Sequence, residues 1–231
     1  MTLITSRLMK TIRHILLTQY KTIQSIIILT AFSILLLLFR IKITDTYYYM
    51  FLIWNLFLAG IPYLISSYLS AYNTINKASL LSISFVWLLF LPNAPYIVTD
   101  LFHLKYSHQD LLWIDTLIIM VFATTGLLLF YKSIKTMHLF FKTYVEKRII
   151  TFSLPILFIL VGFGVYLGRF LRFNSWEIIN KPWTIIETIM SIILHPITYN
   201  YAWIFSIVFG ATLYVGYYIS DSSANKTKKA S

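Results

Sequence analysis

The chain of 231 residues contains no cysteine. That excludes disulfide frameworks, CxxC redox chemistry, cysteine-ligated zinc and cysteine nucleophiles. Charge is scarce, at 12% of residues, about half of the ~25% of an ordinary soluble domain. Acid is scarcer still, with eight Asp and Glu against nineteen Lys and Arg and a net charge of +11. No Walker-type phosphate loop, HExxH, GxSxG elbow or EF-hand pattern occurs. Gly162-x-Gly164 lies inside an apolar run and opens no dinucleotide turn. No repeat of about 20–50 residues and no inverted pair of halves is visible. What is abundant is apolar: 58% of residues are hydrophobic and 18% aromatic. Such a composition excludes a disordered chain and does not suit a soluble globule. It reads as an all-α polytopic bundle in a bilayer.

Six charge-poor stretches are long enough to cross, given about 20 residues per span. They are Ile23–Phe39, Thr46–Asn76, Ala78–Thr99, Thr116–Tyr131 (extended by Leu111–Ile114), Ile149–Gly168 and Pro196–Ser220. Residues 1–22 carry Arg7, Lys10, Arg13 and Lys21 between Ile4, Leu8, Ile12 and Leu16, the pattern of a basic amphipathic helix on a membrane surface. A signal peptide is the rival reading, but Arg40-Ile41-Lys42 follows the apolar run without a small-residue cleavage site. Trp183–Leu194 is short, carries Glu187 and is flanked by Pro182 and Pro196, so it reads as interfacial or re-entrant. Residues 23–220 thus form a single transmembrane domain, and the polar tail 221–231 reads as disordered.

Six spans put both termini on one side. That side holds thirteen of the nineteen Lys and Arg and only Glu146 and Asp221 of the acids. The positive-inside rule makes it cytoplasmic. Attraction to anionic lipid accounts for the basic charge, and no nucleic acid is needed.

Two segments are unlike filler. The first is Leu91-Pro92-Asn93-Ala94-Pro95-Tyr96-Ile97-Val98-Thr99-Asp100-Leu101-Phe102-His103-Leu104. Pro92 lies about 21 Å along a helix begun at Ala78, some two-thirds of the way across. Pro92 and Pro95 lack donors and break the helix there; Asn93 is a local partner for the freed carbonyls. The break is either a tolerated kink or the floor of an outward-opening cavity. Asp100 and His103 share a helical face. They make either an acid–base pair, in which Asp orients His, or half a metal site. A metal would draw a third ligand from His108, Asp110, Asp115, Glu177 or His195. The bland alternatives are a helix cap at Asp100 and a wet interfacial His103. Which cofactor, if any, the chain takes is not named by these residues.

The second segment is Gly164-Val165-Tyr166-Leu167-Gly168-Arg169-Phe170-Leu171-Arg172-Phe173-Asn174-Ser175-Trp176-Glu177. Gly164 and Gly168 have the spacing of close helix packing. Arg169 and Arg172 share a face that suits a phosphate or carboxylate, against snorkelling or pairing with Asp100, Asp115 or Glu177. Asn174 and Ser175 suit a turn. Trp113, Trp176 and Trp183 fit an aromatic belt.

Together with Trp113-Ile114-Asp115, these two segments resemble the signature of a bacterial integral membrane family known as domain of unknown function 1361. The resemblance extends from Thr46 to Glu177. Glu177 stands where the family carries Asp, and Phe173 where it often carries Trp. The resemblance implies a bacterial inner-membrane protein and no particular reaction.

The sequence favours a non-catalytic envelope component whose extracytoplasmic face binds an anionic lipid headgroup, an envelope polymer or a protein. On that face Asn93, Arg169, Arg172, Asn174, Trp176 and Glu177 are binding candidates, and Asp100, His103 and Asp115 are the candidates for chemistry. The alternatives are a membrane enzyme acting on an anionic lipid or lipid-linked sugar, and a small transporter. Depth matching predicts that Asp100, His103, Asp115, Arg169, Arg172 and Glu177 gather around one pocket, since ionisable groups near hydrocarbon demand partners.

Overall fold

The computed structural model describes residues 9, 12, 13, 15–72, 75–173 and 177–230. Every regular element among them is helical, and six helices are long and apolar enough to cross a membrane. The chain divides into two compact units, residues 1–143 and 144–231. Most of the basic segment 1–22 lies outside the described residues.

In the first unit, α1 spans Tyr20–Thr44 and runs past the expected end at Phe39, carrying Arg40 and Lys42 inside the helix. It stops at Asp45, which adopts the left-handed conformation (φ 49°) and returns its N–H to Ile41 O at 2.8 Å. Asp tolerates that region because its short side chain bonds locally. The helix is inside out relative to a soluble one: Ser33, Leu37 and Arg40 are buried, while Ile27, Phe32, Leu35 and Phe39 face outward. That is the polarity hydrocarbon demands, since lipid solvates the apolar side and polar groups must find partners within.

A 3-10 turn, Tyr48–Met50, leads into α2, Phe51–Ser70. The third span starts as α3, Lys77–Phe90, capped by the Asn76 side chain, which accepts from Ser79 N–H. It breaks where the prolines lie. α3 ends before Pro92, α4 is a single turn (Asn93–Tyr96), and the chain continues as a 3-10 helix, Ile97–Tyr106. Asn93 Nδ2 donates to Phe90 O at 2.9 Å, and Ala94 N–H turns back to Leu91 O at 3.3 Å, so the break is satisfied within the chain.

After a short 3-10 turn at Gln109–Leu111, α5 spans Leu112–Phe141 and packs against α1, α2, α4 and the 3-10 segment. The expected loop Lys132–Arg148 shrinks to a few residues, because the Lys and Thr of 132–136 are good enough helix residues to carry α5 past the apolar run. Ile118, Ile119, Phe122, Phe130 and Ile134 are its buried core. At Gly126 an added Cβ would sit 2.7 Å from Ala94 O, so only glycine lets α5 lie against the proline break. Deeper in, Trp87 Nε1 donates to Ser133 Oγ (2.9 Å) and Ser133 donates to Pro62 O (2.9 Å), joining α3, α5 and α2.

In the second unit, α6 (Lys147–Arg169) packs along α9 (Asn200–Ala230). The tight approach is at Gly162, whose added Cβ would collide with Ser206 O, and at Gly210, where it would meet Phe158 O at 2.6 Å. The sequence reading placed its small-residue contact at Gly164 and Gly168, two and six positions away from Gly162. Two short helices intervene, α7 (Glu177–Asn180) and α8 (Pro182–Leu194). At 13 residues, α8 is about 20 Å long and too short to span. Ile185 and Ile192 face inward and Trp183, Ile186, Met190 and Ile193 outward. α9 continues through Ala230 where the sequence reading placed a disordered tail, since neither Gly nor Pro follows Gly216.

Candidate functional site

The chemistry-bearing residues of the first unit collect where α1 ends and α2 and α5 begin. Asp115 lies in the first turn of α5 and is fully buried. A lone buried carboxylate is untenable in so apolar a setting. It is held by three donors: Arg40 Nε to Oδ1 at 3.0 Å, Arg40 Nη2 to Oδ2 at 3.5 Å, and Ser107 Oγ to Oδ2 at 2.7 Å. Arg40, itself 6% exposed, uses its remaining Nη1 on Thr46, through both Oγ1 and the carbonyl oxygen. Its guanidinium stacks 4.8 Å above the Tyr49 ring, an electrostatic contact strengthened by desolvation. The Tyr49 hydroxyl is buried and makes no hydrogen bond within 3.5 Å.

A second group adjoins the first through Tyr48 and Tyr49, whose rings meet edge to face at 5.0 Å. Asp100 is 1% exposed and accepts from Asn55 Nδ2 of α2 at 2.9 Å. His103, one 3-10 turn further on, brings Nε2 to 3.9 Å from Asp100 Oδ1. Its Nδ1 is 3.1 Å from Tyr48 Oη, and Phe51 stacks on the ring at 4.8 Å. If Tyr48 donates to Nδ1, the imidazole proton sits on Nε2, facing the carboxylate. The imidazole is partly exposed while its aspartate is not. This order of burial can hold a histidine in one tautomer, stabilise an imidazolium, or present a fixed donor to a ligand.

Of the candidates from the sequence, Asp100 and His103 therefore meet, and Asp115 joins them at one remove. His108 and Asp110 lie exposed nearby. Asn93 turns its amide to the helix break at Phe90. Among the described residues, no three His, Asp or Glu are placed to hold a metal ion.

Arg169, Arg172 and Glu177 belong to the second unit. Arg169 is the last residue of α6. Arg172 is exposed and left-handed (φ 59°), which lets Phe173 N–H close on Leu167 O at 3.1 Å. Glu177 pairs with Lys181 at 3.6 Å along α7. Asn174 and Trp176 fall outside the described residues, while Trp113 and Trp183 are 68% and 74% exposed, as a belt requires.

Arg40, Asn55, Tyr48 and Ser107 are the partners that sequence reasoning missed. One signal was available: Arg40 stands alone at the end of an apolar run, and an ionisable group there must be paired or wet. Its partner lies 75 residues away and no local spacing names it.

Six apolar helices, a proline-broken third span and the buried Arg40–Asp115 ion pair at one helix end are the features of a helical transmembrane protein. A family model described as "Protein of unknown function (DUF1361)" matches residues 54–215. The chain belongs to that family. No curated protein and no solved structure matches it.

Proposed function

We propose that this is a multi-pass protein of the bacterial plasma membrane, with both termini cytoplasmic. We assign it the role of a non-catalytic envelope component whose extracytoplasmic end recognises an anionic headgroup or polymer. The observation that carries this reading is the state of the two carboxylates. Asp115 is consumed by Arg40 and Ser107, and Asp100 is anchored by Asn55. Groups so immobilised fix a surface and leave His103 and Tyr48 at its edge to meet a ligand. On the second unit, Arg169 and Arg172 supply cations of the right type for the same class of ligand, and Asn174, Trp176 and Glu177 belong to that binding segment.

A second reading, an enzyme acting on an anionic lipid or lipid-linked sugar, is favoured by one feature. Asp100, His103 and Tyr48 form a line from a buried carboxylate to an accessible phenol, the parts of an acid–base device.

A photo-crosslinking residue at Phe102, which is exposed beside His103, tests the first reading in intact cells. A discrete adduct that disappears in His103→Ala, at unchanged protein level, supports recognition. Turnover of a lipid-linked sugar by the purified chain, abolished by Asp100→Asn, would overturn it in favour of the enzyme.

A further inference from the structure

In the first unit α1 and α2 both pack on α5 and hardly on each other, which leaves a trough of about 510 Å³ between them. Its floor is the buried Leu56, Phe122 and Leu129, and its rim is the exposed Ile27, Phe57 and Leu64. At Gly60, which also lines it, an added Cβ would meet nothing within 4 Å. That glycine widens the trough, whereas Gly126 lets two backbones meet. The trough runs along the helices. Its lining extends from Ile23 to Ile34 on α1, about 17 Å, and from Ile53 to Ser67 on α2, about 21 Å. One leaflet of the hydrocarbon core is about 15 Å deep.

Water does not settle in so apolar a space, and an empty one forfeits the dispersion contacts of its whole lining. The mean cross-section, about 25–30 Å², is far below the roughly 80 Å² of a helix ~10 Å wide. The trough therefore suits a single hydrocarbon chain and not a further helix. One end shows what the chain carries. Just before α1, Gln19 Oε1 accepts from Tyr63 Oη at 2.7 Å and from Ser67 Oγ at 3.2 Å. Tyr63 and Ser67 line the trough, while Gln19 lines a polar cavity of about 530 Å³ with Thr22, Ser70 and Thr136. Apolar space and polar space thus adjoin across one hydrogen-bonded seam, at the end of the apolar helices. Room for a tail followed by room for a head is the shape of an amphiphile aligned with the bilayer's own lipids.

We propose that the trough binds a phospholipid of the surrounding bilayer, with one acyl chain along Gly60 and the headgroup seated at the polar cavity beside Gln19. The proposal requires that α1, α2 and α5 span a bilayer and needs nothing from the reading of the Asp100–His103 end.

The test uses the full chain in phosphatidylcholine nanodiscs containing a trace of phosphatidylcholine with a diazirine at the middle of one acyl chain. After irradiation, adducts are located by peptide mass spectrometry. Labelling at Ile27, Phe57 and Leu64 should exceed that at Leu81 and Phe85, exposed on α3 outside the trough, by about tenfold. Gly60→Trp, which plugs the trough, should remove that excess, leave Phe85 labelling unchanged and hold or raise the Tm. Gly60→Leu, a smaller plug, should reduce the excess less. Asp100→Asn should leave the pattern unchanged, which separates this site from the one at the other end. An alkane bearing the same diazirine and no headgroup should show no excess. Even labelling of all exposed apolar positions in the unsubstituted chain overturns the proposal, whether or not a plugged variant folds. So does an undiminished excess in a folded Gly60→Trp, or equal enrichment with the alkane. A photo-crosslinking residue at Phe57 that captures a second copy of the chain rather than lipid overturns it in favour of a dimer.

Discussion

Removing either member of the Arg40–Asp115 pair should destabilise the first unit far more than removing both. In Arg40→Met the Asp115 carboxylate keeps Ser107 and the neighbouring Tyr49 hydroxyl, and has no exposure through which water could repay the loss. Stranding one charge of a buried pair costs about 3–5 kcal/mol, or roughly two to four orders of magnitude in the folded-to-unfolded ratio. Asp115→Leu strands Arg40, which retains Thr46 and the Tyr49 face, so its loss belongs at the lower end of that range. In the double variant no charge is stranded. What is lost is the hydrogen bonding of Ser107 and Thr46, about 1 kcal/mol each. Equilibrium unfolding in mixed micelles titrated with SDS, followed by helix circular dichroism, measures all four corners. With singles that sum to about 6–8 kcal/mol and a double that loses about 2, we expect the double variant to recover about 4–6 kcal/mol relative to the sum. Additivity within about 0.5 kcal/mol would refute the claim that the two charges hold each other in the membrane.

Four further outcomes are expected. Gly126→Ala should destabilise by about 1–3 kcal/mol, because its Cβ meets the Ala94 backbone rather than a yielding side chain. Gly60→Ala, with open space around it, should be neutral or stabilising by up to about 1 kcal/mol in the same unfolding assay. Arg172→Gly should hold or raise stability by about 1 kcal/mol by relieving the left-handed backbone; a loss of envelope phenotype at preserved stability then marks the guanidinium as a binding group. For topology, single cysteines at Lys142 and Lys105 need no background removal, and in intact cells a membrane-impermeant maleimide should label the Lys105 position alone. Labelling at Lys142 would reverse the orientation.

The six long apolar helices, the short α8 and the break at Pro92 and Pro95 were legible because each is a local property: a run of apolar residues, a short run between prolines, a missing donor. Asn93 as the partner of the freed carbonyls was legible for the same reason. Helix ends were less so. α1 and α5 run on through Lys and Arg, because a charged residue can stay helical once past the hydrocarbon, and hydropathy marks the bilayer rather than the helix. The partners of Asp115 and Asp100 were not legible. Arg40 and Asn55 reach them by helix packing across 75 and 45 residues, and no short spacing names either one as the partner. Gly162 and Gly210 mark where two helices touch, a contact that no short sequence spacing names.

The Arg40–Asp115 clasp also bears on how the protein is made. Arg40 is synthesised 75 residues before its partner. At about 5–20 residues per second, the delay is roughly 4–15 s. Throughout that interval α1 is in the membrane with its guanidinium unmatched, held toward the headgroups by its own long side chain. The aspartate arrives in the first turn of α5, the helix against which α1 and α2 both pack. Biogenesis of the first unit is thus gated by translation of Asp115. A nascent chain halted before it carries Arg40 without its carboxylate partner.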